Sequence, residues 1–251
     1  MSNPPYDTPW IRRFHHEPGR ATLVCFPHAG GAASFFYPVS DALRSELEVV
    51  AVQYPGRQDR LRERPLTTVD ELADGALAAL RPLLDRPLAF FGHSMGASVA
   101  FEVAARMRRE SAGAPVALFV SGRRAPSRHR EEAVHLLDDD GLVAELRKLS
   151  GTDARVLGDL DMLRMILPAI RGDYTAAETY RYRPGSPLTC PIVALVGDRD
   201  PRVSLEEAGA WADHTTGGFE LRAFEGGHFY LAEHQRAVID LITDRLSSLT
   251  P

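Results

Sequence analysis

A short glycine-flanked segment, Gly92-His93-Ser94-Met95-Gly96, has the residue types and spacing that would hold a nucleophilic serine in a tight turn. It directly follows the apolar run Leu88 to Phe91 and precedes apolar residues at helical spacing, so we expect a strand, a turn and a helix in that order. Glycines allow a tight turn, and the N-terminal end of the helix favours negative charge beside the Ser94 hydroxyl. The alternative is a serine that only caps the helix. His93 occupies the variable position, and we expect it to pack near the site and not to act as the base.

His228 is the histidine best placed to act as a base on such a serine. It directly follows a strand-like run and the flexible pair Gly226-Gly227, near the C-terminal end of the chain. A serine hydroxyl is a weak nucleophile, so an imidazole must take its proton on attack and return a proton to the leaving group. His234 is the competing histidine. It falls within a helical stretch, and we expect it to be an exposed polar residue.

An acidic residue is needed to hold the imidazole in the tautomer that accepts the serine proton. The strand-like run Ile192 to Val196 leads into Gly197-Asp198-Arg199-Asp200-Pro201, whereas the loop after Val116 to Val120 contains no carboxylate. Asp200 is expected to be this acid, because it lies further beyond the end of the strand and can reach across to the histidine loop. Asp198 is the alternative, although its position next to the strand suits a side chain that bonds the amides of the turn.

Backbone amides that can bind a developing oxyanion are expected at two places. The first long apolar run ends in Pro27-His28-Ala29-Gly30-Gly31, a glycine-rich loop of the type that supplies one donor, and the Ala29 N–H is the candidate. The Met95 N–H is the second candidate, since the amide of the residue after the nucleophile points into the same pocket. An ordinary loop is the alternative for the first segment, with His28 as a loop histidine that takes no part in catalysis.

Short apolar runs alternate with longer amphipathic stretches, which is the rhythm of a parallel sheet covered by helices. The runs are Leu23 to Phe26, Val49 to Val52, Leu88 to Phe91, Val116 to Val120, Ile192 to Val196 and Phe219 to Phe224. Between them, Val69 to Leu84 and Ala97 to Met107 carry apolar residues at helical spacing, and Trp10 to Phe14 suits an N-terminal edge strand. The pattern predicts an α/β fold with a mostly parallel central sheet and helices on both faces.

The rhythm is interrupted between about Arg128 and Pro187, where a charged, helical stretch separates the apolar runs Val116 to Val120 and Ile192 to Val196. We interpret residues 128–187 as a helical lid inserted into a single domain that spans residues 1–251. A mobile lid over the site is one interpretation of this insertion. A rigid helical layer that completes the core is the other.

The composition argues against several classes of protein. A chain of 251 residues, 44% of them hydrophobic, can bury one full core, and its net charge of -5 argues against a general nucleic-acid binder. No apolar run approaches the roughly 20 residues that span a bilayer, and no basic stretch followed by an apolar one begins the sequence, so we expect a cytoplasmic protein without membrane contact. Cys25 and Cys190 are expected to be buried free thiols, which leaves no cysteine-rich metal site. A monomer is the default expectation.

Together with Tyr54-Pro55-Gly56-Arg57, these motifs resemble those of the type II thioesterases of polyketide and nonribosomal-peptide synthetases, which belong to the α/β-hydrolase superfamily. The resemblance covers nearly the whole chain. It implies an α/β-hydrolase fold and an editing enzyme that removes stalled or aberrant acyl groups from the phosphopantetheine thiol of acyl or peptidyl carrier proteins. The family's catalytic and oxyanion-binding residues correspond to Ser94, Asp200, His228, Ala29 and Met95. No cofactor is implied, because the phosphopantetheine belongs to the substrate.

Arginines follow two of the strand-like runs, near the sheet edge where ligands of parallel sheets bind. The first group is Arg57, Arg60, Arg62 and Arg64, and the second is Arg123, Arg124, Arg128 and Arg130. Contacts with the carrier protein, or with the phosphate of its phosphopantetheine arm, are one interpretation. Solvated charges paired within their loops are the other. A small-molecule carboxylesterase or lipase, and a non-catalytic binding protein of this fold, are the competing functions.

Overall fold

A mostly parallel sheet forms the centre of the protein. The computed structural model describes residues 8–16, 19–149 and 160–249. These residues include a seven-stranded sheet made of β1 (Ile11–Arg12), β2 (Thr22–Phe26), β3 (Glu48–Val52), β4 (Leu88–His93), β5 (Ala117–Ser121), β6 (Ile192–Gly197) and β7 (Phe219–Phe224). The spatial order is β1-β3-β2-β4-β5-β6-β7, with β1 antiparallel to β3 and the other pairs parallel. Each predicted run falls on a strand, so the predicted sheet is confirmed.

Helices connect the strands. They include α1 (Tyr37–Leu43), α2 (Val69–Leu80), α3 (Met95–Arg109), α4 (Asp139–Leu149), α5 (Leu160–Thr179), α6 (Leu205–Gly209), α7 (Tyr230–Glu233) and α8 (Gln235–Leu249). Helix α2 begins after Thr68, whose side chain accepts a hydrogen bond from the Glu71 amide and so caps the helix. None of the helices in the described residues is long and apolar enough to cross a membrane.

Burial on both faces explains why the central strands are continuous apolar runs. Every residue of β2, β4 and β5 is buried. Because side chains alternate along a strand, Phe90 packs with α2 and α3 on one face while Phe91 packs with α1 and α8 on the other. Cys25 and Cys190 are buried free thiols, as expected.

Helices α4 and α5, which we call the cap, lie between β5 and β6 in the chain. Their apolar side chains form a cluster of their own, which includes Leu146, Leu167 and Tyr174 and packs against Ala29 in the loop after β2. The cap therefore lies over loops at the carboxyl ends of the parallel strands. Residues 150–159 of the predicted insertion lie outside the described residues.

Candidate active site

Ser94 lies at a sharp turn between β4 and α3. Its backbone has φ 55° and ψ -120°, a conformation that costs a non-glycine residue energy and that clusters at functional sites. The Ser94 amide donates to the Ser121 carbonyl at 2.8 Å, which ties the turn to β5. A Cβ at Gly92 would lie 2.4 Å from the Gly96 carbonyl oxygen, and one at Gly96 would lie 2.0 Å from the Phe26 carbonyl oxygen. Both positions therefore require glycine, and the turn presents Ser94 above the sheet.

His228 connects Ser94 to a buried carboxylate. The Nε2 atom of His228 lies 3.0 Å from Ser94 Oγ, and its Nδ1 lies 2.8 Å from Asp200 Oδ2. The Asp200 side chain is completely buried, and its Oδ1 accepts a hydrogen bond from the Arg202 amide at 2.8 Å. A carboxylate only accepts hydrogen bonds, so the contact with Asp200 favours the tautomer of His228 that carries its proton on Nδ1.

The two competing residues hold the surrounding loops. Asp198 Oδ1 accepts a hydrogen bond from the Gly226 amide at 2.9 Å, so Asp198 ties its own turn to the loop that carries His228. His234 follows α7, and its Nε2 lies 2.8 Å from the Glu225 carbonyl oxygen. Neither side chain bonds to Ser94 within the described part of the chain.

We expect Asp200→Asn to lower kcat by about 10³- to 10⁴-fold, and by far more than Asp198→Asn does. An amide at position 200 can donate to Nδ1 and leave the proton on Nε2, which is the wrong tautomer for a base. At position 198 the amide oxygen can still accept from Gly226, so the loop keeps its shape. Steady-state hydrolysis of an acyl thioester by both variants measures the difference. A larger loss in Asp198→Asn would assign the acid to Asp198.

Ala29 and Met95 both lie beside Ser94. Ala29 lines the same cleft as Ser94 and His228. Met95 is the first residue of α3, where backbone N–H groups have no acceptor within the helix. The arrangement suits a pair of amides that would bind an oxyanion formed at the Ser94 hydroxyl.

A buried ion pair holds the loop that contains Ala29. The sequence patterns did not predict this pair. Asp173 Oδ2, on α5, accepts from the Gly30 amide at 2.7 Å and from Arg57 Nη1 at 2.6 Å, and its Oδ1 accepts from Arg57 Nη2 at 2.9 Å. Arg57 also donates to the Gly31 and Pro55 carbonyls. The prediction that Arg57 contacts a carrier protein or phosphate is wrong, because its guanidinium is buried and engaged. Asp173 lies in an amphipathic helix without a motif, so no local signal in the sequence marks it.

The prediction that Arg60 contacts a carrier protein or phosphate is also wrong. Its side chain is 5% exposed, it pairs with Glu63, and its guanidinium carbon lies 4.7 Å from the centre of the Trp10 ring. These contacts keep the Arg60 charge inside the loop. Arg62 and Arg64 are exposed and remain candidates for contact with a partner.

Two further histidines lie buried near His228, and both are neutral. His93 Nδ1 lies 2.9 Å from Ser121 Oγ, and the centre of its ring lies 5.1 Å from that of His228. Burial, with a smaller contribution from His228, lowers the pKa of His93 well below its ordinary value and that of His28 to about 3. These side chains therefore add no positive charge beside His228 at neutral pH.

The cleft above Ser94 opens between the cap and the loops at the carboxyl ends of the strands, where ligands of parallel sheets bind. Its empty space, open mouth included, is about 540 Å³. Several charged side chains line it, namely Arg123, Arg124, Glu132, Glu178 and Arg202. The cleft can therefore offer polar as well as apolar contacts to a bound group.

Comparison with known proteins agrees with this fold and with the motifs. The Thioesterase domain family matches residues 21–246. Thioesterase PikA5 of Streptomyces venezuelae is 53% identical over 239 residues, which cover 94% of this chain and 85% of that protein. Among solved structures, the type II thioesterase BorB from the borrelidin biosynthetic cluster is 52% identical with a TM-score of 0.86, and the match covers 95% of this chain and 96% of that one.

A second solved structure belongs to RedJ, a thioesterase from the prodiginine biosynthetic pathway in Streptomyces coelicolor. It is 39% identical with a TM-score of 0.87, over 92% of this chain and 94% of that one. The matches extend over nearly the whole chain and not over one motif, and they confirm the resemblance to type II thioesterases. This chain therefore belongs to the thioesterase family, has the α/β-hydrolase fold and is a hydrolase that acts on thioesters.

Proposed function

We propose that this enzyme hydrolyses stalled or aberrant acyl groups from the phosphopantetheine thiol of acyl or peptidyl carrier proteins, with Ser94 as the nucleophile. The observation that carries the proposal is the hydrogen-bonded chain from Ser94 through His228 to Asp200, with distances of 3.0 and 2.8 Å. Relatives support the carrier-bound substrate, since BorB is a type II thioesterase from a biosynthetic cluster and RedJ comes from a biosynthetic pathway.

In the first half-reaction the acyl group moves to Ser94. Ser94 Oγ attacks the thioester carbonyl carbon while His228 Nε2 takes the hydroxyl proton, and Asp200 stabilises the imidazolium that forms. The Ala29 and Met95 amides donate to the oxyanion of the tetrahedral intermediate, where one donor is typically worth about 2.7–4 kcal/mol. The C–S bond then breaks, and His228 returns the proton to the departing pantetheine thiolate. An acyl ester on Ser94 remains.

In the second half-reaction water releases the acyl group. His228 Nε2 takes a proton from a water molecule that attacks the ester carbonyl, and the same two amides bind the second oxyanion. Collapse of this intermediate breaks the bond to Ser94 Oγ, which recovers its proton from His228. The products are a free carboxylic acid and the unchanged enzyme.

The proposed substrate is tested by comparing hydrolysis of the same acyl group as a carrier protein thioester and as a p-nitrophenyl ester. We expect a higher kcat/KM for the acyl carrier protein thioester than for the p-nitrophenyl ester, and Ser94→Ala should lose nearly all of its activity on both. A preference for the ester would instead indicate a small-molecule carboxylesterase or lipase. Binding of the carrier protein without any Ser94-dependent hydrolysis would indicate a non-catalytic binding protein.

We expect Arg62→Glu combined with Arg64→Glu to lower kcat/KM for acyl carrier protein thioesters by roughly tenfold, because exposed charges steer the encounter with an acidic partner. Small N-acetylcysteamine thioesters should be nearly unaffected, and the salt dependence should flatten. Arg44→Glu combined with Arg109→Glu is a matched control, since both residues are exposed near the C-terminal ends of helices. Equal losses in the two double variants would remove Arg62 and Arg64 from the docking surface.

A further inference from the structure

Arg202 lies two residues after Asp200 and contacts its carboxylate through the backbone. The Arg202 amide donates to Asp200 Oδ1 at 2.8 Å, while Asp200 Oδ2 lies 2.8 Å from His228 Nδ1. Both oxygens of this completely buried carboxylate are therefore engaged, each by a different part of the chain. A shift of the Arg202 backbone would turn the carboxylate and change its hydrogen bond to His228.

The Arg202 side chain is held by two carboxylates from the segment between β5 and β6. Its Nη1 donates to Glu132 Oε1 at 2.8 Å, and its Nη2 donates to Glu145 Oε2, on helix α4 of the cap, at 3.2 Å. The exposed fractions of the three side chains are only 14–21%. Water and salt therefore screen these ion pairs less than they screen pairs on an open surface.

Arg124 connects the same group of charges to the sheet. It follows β5, its Nη1 donates to the Arg202 carbonyl at 3.0 Å, and its Nη2 pairs with Glu132. Burial disfavours the charged form of Glu132, but Arg124 and Arg202 outweigh this effect and hold the pKa of Glu132 below its ordinary value. Glu132 is therefore ionised at neutral pH and pairs with both arginines.

The two sides of the Asp200 loop have different anchors. Before Asp200, Asp198 Oδ1 accepts from the Gly226 amide and the Arg199 amide donates to the Gly226 carbonyl, both at 2.9 Å. These bonds tie the first half of the loop to the loop that carries His228. The bonds described above for Arg202 hold the second half, and one of their partners belongs to the cap.

We propose that Arg202 is a positioning residue, which holds Asp200 in line with His228 and so ties the geometry of the triad to the position of the cap. Hydrogen bonds run without a break from α4 to the nucleophile, through Glu145, Arg202, Asp200, His228 and Ser94. The inference rests on the proposed function, because it takes Asp200 as the acid. Arg202 acts through the carboxylate and neither gives nor takes a proton in the reaction.

The test measures Arg202→Met in two backgrounds. In the wild-type background, kcat for an N-acetylcysteamine thioester should fall by about 10- to 100-fold, because misplacing a catalytic group by about 1 Å can cost that much. In the Asp200→Asn background the same change should lower kcat by less than about twofold, since little is lost by misplacing a side chain that no longer supports the base. A merely structural defect would lower kcat by the same factor in both backgrounds. Arg202→Lys keeps the cation and should retain more of kcat than Arg202→Met.

Labelling of Ser94 by a small fluorophosphonate gives a second measurement, which does not depend on binding of an acyl chain in the cleft. Arg202→Met should slow the labelling about as much as it slows hydrolysis, and the slowing should again be absent in the Asp200→Asn background. An unchanged labelling rate together with a raised KM would make Arg202 a substrate contact and would overturn the inference.

Arg171→Met is the matched control on the cap. Arg171 pairs with Asp139 and donates to the His135 carbonyl, so these contacts stay within the segment between β5 and β6. The variant should lower stability, and any effect on kcat should be the same with Asp200 and with Asn at that position. If Arg171→Met instead shows the same dependence on Asp200 as Arg202→Met, the effect is a general one of the cap and the inference is overturned.

Three results decide the remaining cases. An Arg202→Met kcat within about twofold of wild type, or equal losses in the two backgrounds, would overturn the inference. If Arg202→Met does not fold, Glu132→Gln combined with Glu145→Gln keeps the side-chain shapes and is judged by the same criteria. A wild-type rate in Asp200→Asn alone would contradict the proposed role of Asp200 itself, whereas the proposed function survives every failure of Arg202 as long as Asp200→Asn and Ser94→Ala lower hydrolysis.

Discussion

Ser94→Ala and His228→Ala should each lower kcat for an acyl thioester by about 10⁴- to 10⁶-fold, because a nucleophile and its base, the roles proposed for these two residues, act as one unit. Without Ser94 no acyl ester forms, and without His228 the hydroxyl keeps its proton at neutral pH. The residual rate should come from the oxyanion-binding amides and from substrate binding. Single-turnover hydrolysis of a carrier-bound thioester measures the loss.

The double variant provides the decisive control for this prediction. Ser94→Ala combined with His228→Ala should be no slower than either single variant, whereas independent losses would multiply and would contradict a shared role. A fluorophosphonate should label wild type at Ser94 alone and should label His228→Ala far more slowly. Labelling of another residue would remove Ser94 as the nucleophile. Thermal unfolding should show that all three variants remain folded.

Asp173→Ala should lower the free energy of unfolding by about 3–5 kcal/mol, because it leaves the Arg57 charge buried without its partner. It also removes the acceptor of the Gly30 amide, next to Ala29. We therefore expect kcat to fall together with stability, because the loop proposed to supply one oxyanion donor loses its anchor on the cap. Urea unfolding and thioester hydrolysis by the same preparation measure both effects.

A second substitution separates stability from positioning. Asp173→Leu combined with Arg57→Met removes both charges, so stability should return to within about 1 kcal/mol of wild type while the Gly30 amide still lacks its acceptor. A kcat that recovers fully with stability would show that the pair does not position the loop. Asp139→Asn is the matched control on the cap, since its ion pair with Arg171 is exposed and should contribute no more than about 1 kcal/mol.

The amino-acid sequence alone was enough to predict the central sheet. Strands buried on both faces must be apolar at every position, and this requirement is visible within four or five consecutive residues, as in Leu88 to Phe91 and Ile192 to Val196. The turn at Ser94 is visible in consecutive residues as well, although only Gly92 is required by atoms of the same turn, whereas Gly96 is required by the Phe26 carbonyl of the neighbouring strand β2. Chain order and the flanking strands were also sufficient to propose His228 and Asp200, whose loops meet at the same edge of the sheet.

Whether each arginine is buried or exposed could not be predicted from the neighbouring residues in the sequence. Arg57, Arg60, Arg62 and Arg64 look alike in the sequence, yet two of them are buried and two are exposed. A guanidinium leaves water only where a carboxylate, a carbonyl or an aromatic ring compensates the lost hydration. For Arg57 that group is Asp173, 116 residues away on the cap. Such partners are brought together by the packing of separate elements, so only the tertiary structure shows which charges support the site and which remain free to bind.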